Sequence, residues 1–321
     1  MNPLPPGESS PSTPQYLADK REPAKERTLR ALSRQLGCAV RPIKAASPKS
    51  PLSTVFQHSV LCQTGMPYRD PGIVRTWERT NGRVQLRIEA GSVFRSELKA
   101  FAPVGLPFGP RARCVLYHLN AQALRLRSRT LDLESSLTGF ISRTLGVDPN
   151  GRNVRGVKDQ LMRLAAARFA LGYCEGSKGV TVQGTFVTGL ELWAPRGQGE
   201  RVPWPVAVTL SEEYYAGLIR HAVPLRESAI RALAHNAMAL DVYAWLAQRL
   251  RRVKGQDSAL IPWPALHEQF GADYQHRHHF RAVFVRTLHQ VQAAYPQARL
   301  AIERDGLRLR PSVPPVLGRE R

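Results

Sequence analysis

HRHHFRAVFVRTLHQV, residues 276–291, places four histidines and three arginines in sixteen positions. A metal site, a catalytic centre and a DNA-reading helix all compete for such a stretch. Projected at about 100° per residue, residues 277–295 gather Phe280, Val283, Phe284, Leu288, Val291 and Tyr295 on one face. That is the stripe a helix buries against a core. His278, Ala282, Val285, Arg286 and His289 point the other way, with Arg281 and His279 on the flanks and Arg277 at the start. Arginine donates in a fork that matches guanine O6 and N7, and small apolar groups suit thymine methyls. The outward face therefore has the chemistry of base recognition, and the histidines near the helix start can donate to phosphate or base.

The flanking sequence supplies the context for such a helix. SALIPW (258–263) reads as a short strand, and PALHEQFG (264–271) as a short helix closed by Gly271. ARLAIERDGLRLRPS (298–312) alternates Leu300 and Ile302 on one arm with Leu307 and Leu309 on the other, around Asp305-Gly306. Asp-Gly between alternating runs is a strong hairpin signal. PLRESAIRALAHNAMALDVYAWLAQRLRRV (224–253) precedes these and is expected to be one long helix. Helix, strand, helix, turn, helix and two-stranded ribbon is the order of a winged helix.

The first half repeats the theme. GRVQLRIEAG (82–91) alternates as a half-buried strand does, and FGPRARCVLYHLNAQALR (108–125) is a helix opened by Pro110. SSLTGFISRTLG (135–146) and NGRNVRGVKDQLMRLAAARFALG (150–172) are two further helices. KGVTVQGTFVTGLELWAP (178–195) and VPWPVAVTL (202–210) alternate as hairpin strands, and SEEYYAGLIRHA is a helix. The fold class expected is α+β. Two winged-helix domains stand in tandem, at 56–220 and 221–312, behind a disordered Pro/Ser-rich basic arm (1–55) and before a short tail (313–321). Nine prolines fall by Pro51, a composition that buries too little apolar surface to offset ordering entropy. Within the arm, Leu29, Leu32 and Leu36 mark one short helical island.

Charge narrows the function. The 321 residues carry 46 Lys+Arg against 25 Asp+Glu, a net +21, with a pI near 10.7. Such an excess attracts polyanions. Cys38, Cys62, Cys114 and Cys174 are scattered, with no C-x-x-C, as in a reduced cytoplasmic protein. No run is long and apolar enough for a membrane helix, and MNPLPPGESSPSTPQ (1–15) has neither the basic nor the apolar region expected of a secretory signal.

The rival chemistries find less support. Zinc sites pair their ligands as H-E-x-x-H or C-x-x-C. Here His276 and His279 share a face, His278 sits aside, and Asp273 and His267 are the only nearby additions. A rolling-circle nickase needs an apolar residue where Arg277 stands between His276 and His278, together with a tyrosine nucleophile such as Tyr214 or Tyr215. A tyrosine recombinase shares H-x-x-R with His278–Arg281 but needs a wider framework. No G-x-x-x-x-G-K-[ST] occurs, so no nucleotide site, cofactor or metal is expected.

Several stretches resemble the plasmid-encoded RepA replication initiators: QTGMPYRDP (63–71), LPFGPRAR (106–113), VKDQLMRLAA (157–166), RHAVPLRESAIRALAHNAMALDVYAWLAQRL (220–250), LIPWPALHEQFG (260–271) and FRAVFVRTLHQVQAAYP (280–296). The resemblance covers residues 60–311. It implies a non-enzymatic initiator of plasmid replication that binds repeated sites (iterons) in double-stranded origin DNA. Such an initiator helps open an AT-rich region and recruits host replication proteins, the helicase machinery among them. Its C-terminal winged helix reads DNA, and its N-terminal one adds contacts or forms a homodimer. A winged-helix transcriptional regulator is the alternative, since it shares every physical argument above.

Helix projection adds further DNA-facing candidates. Arg152, Arg155 and Arg163 lie away from the apolar stripe of the 150–172 helix with Lys158 on its flank, although Asp159 among them also fits a solvated basic face. In the ribbon, Arg304 occupies the turn while Arg299, Arg308 and Arg310 decorate the strands. Arginines on a ribbon grip phosphate or enter the minor groove, which sets register.

Overall fold

The computed structural model describes residues 54–82, 84–133, 139, 141–175, 178–193, 204–253 and 258–316. Residues 1–53 of the expected arm, its leucine island among them, lie outside the described residues, as does part of the helix expected over 135–146; Thr54 and Val55, placed in the arm, open the first strand.

The C-terminal unit is built as the periodicity predicts. Strand β12 (Ala259–Pro262) leads into helix α6 (Trp263–Phe270), helix α7 (Arg277–Ala294), and the hairpin β13 (Leu300–Ile302) and β14 (Gly306–Leu309). The three strands form an antiparallel sheet in the order β12-β14-β13. Before them come β11 (Ala222–Arg226), α4 (Glu227–Leu233) and α5 (Ala237–Arg249). The single helix expected over 224–253 is therefore a strand and two helices. Asn236 makes the break, because its side chain accepts from the Ala239 N–H at 3.2 Å and caps α5.

The first unit has the same plan with an insertion. Helix α1 (Gly109–Leu126), strand β6 (Thr130–Asp132), a short π-helical turn (Ile141–Leu145) and helix α2 (Gly151–Ala166) come before β9 (Val187–Trp193) and β10 (Trp204–Leu210). Its sheet runs β6-β10-β9, with the first strand paired to the last as in the second unit. Between α2 and β9 the chain inserts β7 (Arg168–Glu175) and β8 (Lys178–Thr185). These join β2 (Thr76–Asn81) and β3 (Val84–Glu89) in a four-stranded sheet ordered β2-β3-β7-β8. The helix expected to run to residue 172 thus stops at Ala166, because Arg168–Tyr173 pairs with both β3 and β8. A hairpin of β4 (Ser92–Arg95) and β5 (Ala100–Pro103) has β4 in contact with α2, and helix α3 (Glu212–His221) follows β10.

The two units are fastened together at several levels. Strand β1 (Thr54–His58) pairs along its length with β11, so the boundary expected at 220/221 is crossed by a strand pair. Buried residues of both halves belong to one apolar cluster, from Phe56 and Leu116 to Leu240, Phe284 and Leu309. At its centre Arg113 of α1, fully buried, meets Asp241 of α5. Nε donates to Oδ1 at 2.7 Å and Nη2 to Oδ2 at 2.8 Å. Nη1 donates to the carbonyls of Pro67 and Gly109, and Nη2 also to that of Met66. All five guanidinium N–H groups are thereby engaged. Gln248 and Gln269 of the second unit donate to the carbonyls of Ser59 and Gln63. Among the described residues no helix is long and apolar enough to cross a membrane.

Removing one partner of a buried pair leaves an uncompensated charge and costs about 3–5 kcal/mol, whereas an apolar pair of similar volume is tolerated. Arg113→Ala and Asp241→Ala should each lower stability by that order in urea denaturation. Arg113→Met combined with Asp241→Leu removes both charges but leaves the Met66 and Pro67 carbonyls without this donor, so it should recover only part of the loss.

A second prediction concerns pH. Buried His58 stacks on Tyr214 with ring centroids 5.5 Å apart, and its Nδ1 accepts from the Val60 N–H. Burial, helped by nearby His221, lowers its pKa to about 3. Between that value and the ordinary 6.5 the unfolded chain binds a proton that the native protein refuses, so stability falls as pH drops through this window. From pH 7.5 to 5.0 the loss due to His58 should be about 1–2 kcal/mol. Urea midpoints of His58→Asn, which keeps an acceptor for Val60, should lack that component.

Candidate nucleic-acid interface

Helix α7 follows α6 through a turn fixed by local bonds. The Gly271 N–H donates to the His267 carbonyl at 2.7 Å, the Tyr274 N–H to the Gly271 carbonyl at 2.8 Å, and His267 Nε2 lies 3.0 Å from the Tyr274 carbonyl. His267 is thus a turn staple, with its ring edge-on to Phe280. Phe280, Phe284, Thr287, Leu288, Val291 and Tyr295 are buried, and Val283 is half-buried. This stripe packs against α5, α6 and α4. It leaves Arg277, His278, His279, Arg281, Ala282, Arg286 and His289 exposed and Val285 half-buried. No carboxylate occurs anywhere in α7, so nothing on the helix itself opposes a polyanion.

The histidines at its start pack among aromatic neighbours. His276 and His278 stack at 5.5 Å, and His279 meets Tyr274 edge-on at 5.5 Å. Among the described residues no three His, Cys, Asp or Glu side chains are grouped to hold a metal ion. Tyr214, the candidate nucleophile, is buried; its hydroxyl donates to Asn120 Oδ1 at 3.0 Å and burial raises its pKa. It is a packing residue.

The wing lies against the helix start. Its turn is closed by the Glu303 N–H donating to the Gly306 carbonyl at 2.8 Å. Gly306 is required because a Cβ there would collide with the Ile261 carbonyl. Arg299, Arg304 and Arg310 are exposed. Arg308 is not a free cation, since its guanidinium forks onto the Glu303 carboxylate, with Nη2 2.8 Å from Oε2. The hydrogen bond from Arg308, together with the charges of Arg308 and Arg310, holds the Glu303 carboxyl below its ordinary range. Arg281 is also held, with its Cζ 4.6 Å from the Trp263 ring centroid and its Nη2 3.4 Å from the Glu303 carbonyl. Helix projection did not find Trp263 or Glu303. Their roles depend on contacts between α6, α7 and the wing, and only the Trp-Pro pair opening a helix hinted at the first.

The four candidates on α2 are not brought to one surface. Arg152 and Arg155 are exposed, and Arg155 Nε donates to its own helix at the Gly151 carbonyl. Lys158 is buried, which pushes its pKa down. Arg163 is turned inward, 2.9 Å from Asp159 and 3.5 Å from Asp70, with Cζ 5.0 Å from the Phe108 ring centroid and Nη1 donating to the Leu106 carbonyl. The cationic face read from the sequence is thus half absorbed into packing.

A solved structure shares this architecture. The crystal structure of SeMet derivatives of domains 2 and 3 of RctB superposes with a TM-score of 0.53 at 10% identity, covering 77% of this chain and 95% of that one. A second RctB domains 2–3 structure gives 0.46 at 12% identity, over 72% and 82% of the two chains. No curated protein matches the sequence. Residues 106–264, from the segment leading into α1 through to the first turn of α6, match the family described as plasmid encoded RepA protein, so this part of the chain is similar to those plasmid proteins.

Proposed function

We propose that this chain is a replication initiator that binds repeated double-stranded sites at a replication origin through α7 and the β13–β14 wing. In this reading it helps to open the origin, recruits host replication proteins and contributes no catalytic residue of its own. The observation that carries the proposal is the exposed, carboxylate-free face of α7, with Arg277, Arg281 and Arg286, beside a wing tipped by Arg304. A helix stabilised by its buried stripe and offering arginines and small apolar groups outward has the form of a major-groove reader. Arg304, Arg299 and Arg310 are assigned to the phosphate backbone. Arg152 and Arg155 are assigned to subsidiary backbone contacts of the first unit, while Lys158 and Arg163 serve its packing.

The deciding experiment places the gene and its flanking DNA on a vector that cannot otherwise replicate. An initiator yields transformants, and a winged-helix regulator yields none. A nicked or covalently linked plasmid after incubation with Mg²⁺ would instead overturn the non-enzymatic part of the reading.

Two predictions separate the contacts. Arg286→Ala should relax base preference at one position by about 1–3 kcal/mol, whereas Arg304→Ala should weaken all duplexes alike and flatten the salt dependence by about one unit. Glu303→Gln should act in the opposite sense. By releasing Arg308 it should steepen the salt dependence by about one unit on any duplex, as read by titrations across a range of salt concentrations.

A further inference from the structure

Trp263, the first residue of α6, touches both parts of the proposed interface. Its backbone N–H donates to the Asp305 carbonyl at 3.1 Å. Its indole Nε1–H is shared between the carbonyls of Glu303 at 3.3 Å and Arg304 at 3.1 Å. One residue thus holds three successive carbonyls of the wing turn. The same half-buried ring lies 4.6 Å from the Arg281 guanidinium and meets Phe284 of the α7 core edge-on at 6.2 Å. Arg281 closes the circuit by donating from Nη2 to the Glu303 carbonyl.

These contacts have a direct consequence for recognition. An arginine on a free stem loses rotamer freedom when it binds, and so does a mobile loop. Here both losses are incurred in folding, because a guanidinium over an indole face is restrained by cation–π attraction and stacking. The turn that carries Arg304 is bonded to that same indole. Simple packing does not account for the arrangement, since an apolar ring against Phe284 would need no donor aimed at the Glu303 and Arg304 carbonyls.

We propose that Trp263 is a positioning residue for DNA recognition, joining Arg281 of α7 and Arg304 of the wing into one pre-set unit, so that base reading and backbone grip occur together. The proposal rests on the DNA-binding reading above.

The test uses the full chain and a pool of duplexes randomised over about 20 base pairs, two helical turns. Wild-type protein first selects its site; failure to enrich any sequence would sink the DNA reading itself, before any variant is made. Trp263→Phe keeps an aromatic ring beneath Arg281 and removes the indole N–H together with the five-membered part of the ring. It should bind the selected duplex about tenfold more weakly and flatten the salt dependence by about one unit. Adding Arg304→Ala to it should bring no further loss. Wild-type affinity for Trp263→Phe, or losses that simply multiply, would overturn the proposal. A cycle of Arg281→Ala and Arg304→Ala, both at exposed positions, provides a check that does not depend on Trp263→Phe folding. The combined loss should be smaller than the product of the single losses by about threefold or more, and a combined loss equal to that product would count against the coupling.

Discussion

The fold turns on one buried guanidinium. Arg113 has no access to water, so each of its five donors needs a partner from the chain. Those partners come from its own helix at Gly109 and from two distant segments, the Met66–Pro67 backbone and the Asp241 carboxylate on α5. Tyr68 lies 5.3 Å below the guanidinium, and Gly65 allows close approach because a Cβ there would strike Asp241 and Arg79. The three sequence stretches 63–71, 106–113 and 220–250 therefore meet at one point. The stretch matched by the RepA family, residues 106–264, includes both Arg113 and Asp241 and ends before α7 and the wing.

That joint makes the two units a single body. The β1–β11 strand pair, the shared apolar cluster and the Gln248 and Gln269 side chains all bridge the same seam. The DNA-facing candidates stand on the periphery of this body, on elements whose inner faces are committed to it. Helix α7 illustrates the division, since Phe284 and Leu288 are fully buried while Arg286 between them is exposed.

Where structure follows local periodicity, the sequence was legible. The α7 stripe, the Asp-Gly wing and the helix opened by Pro110 all follow from spacing and turn chemistry. Reading failed where distant pairing decides. Residues 222–226 are a strand because β1 lies alongside them, and Arg168–Tyr173 leave the helical path because β3 and β8 flank them. The Asn236 cap was a local signal, masked by apolar residues at helical spacing on both sides. Charges were the least legible feature. A helical projection assigns Arg163 and Lys158 to a surface, but Lys158 is buried and Arg163 is held by Asp159 of its own helix and Asp70 from a distant segment. Arg308 is likewise neutralised by an acid five positions away, across its own hairpin.

The Arg113–Asp241 pair also bears on how the protein is made. The two residues are 128 positions apart. At about 5–20 residues per second, the ribosome delivers Asp241 about 6–25 s after Arg113. Until then the first winged helix can close its core only by burying an unneutralised cation, or must leave α1 open to water. Stable folding of the first half is thereby deferred to the synthesis of the second, and a chain truncated within the intervening sequence would be a ready substrate for proteolysis.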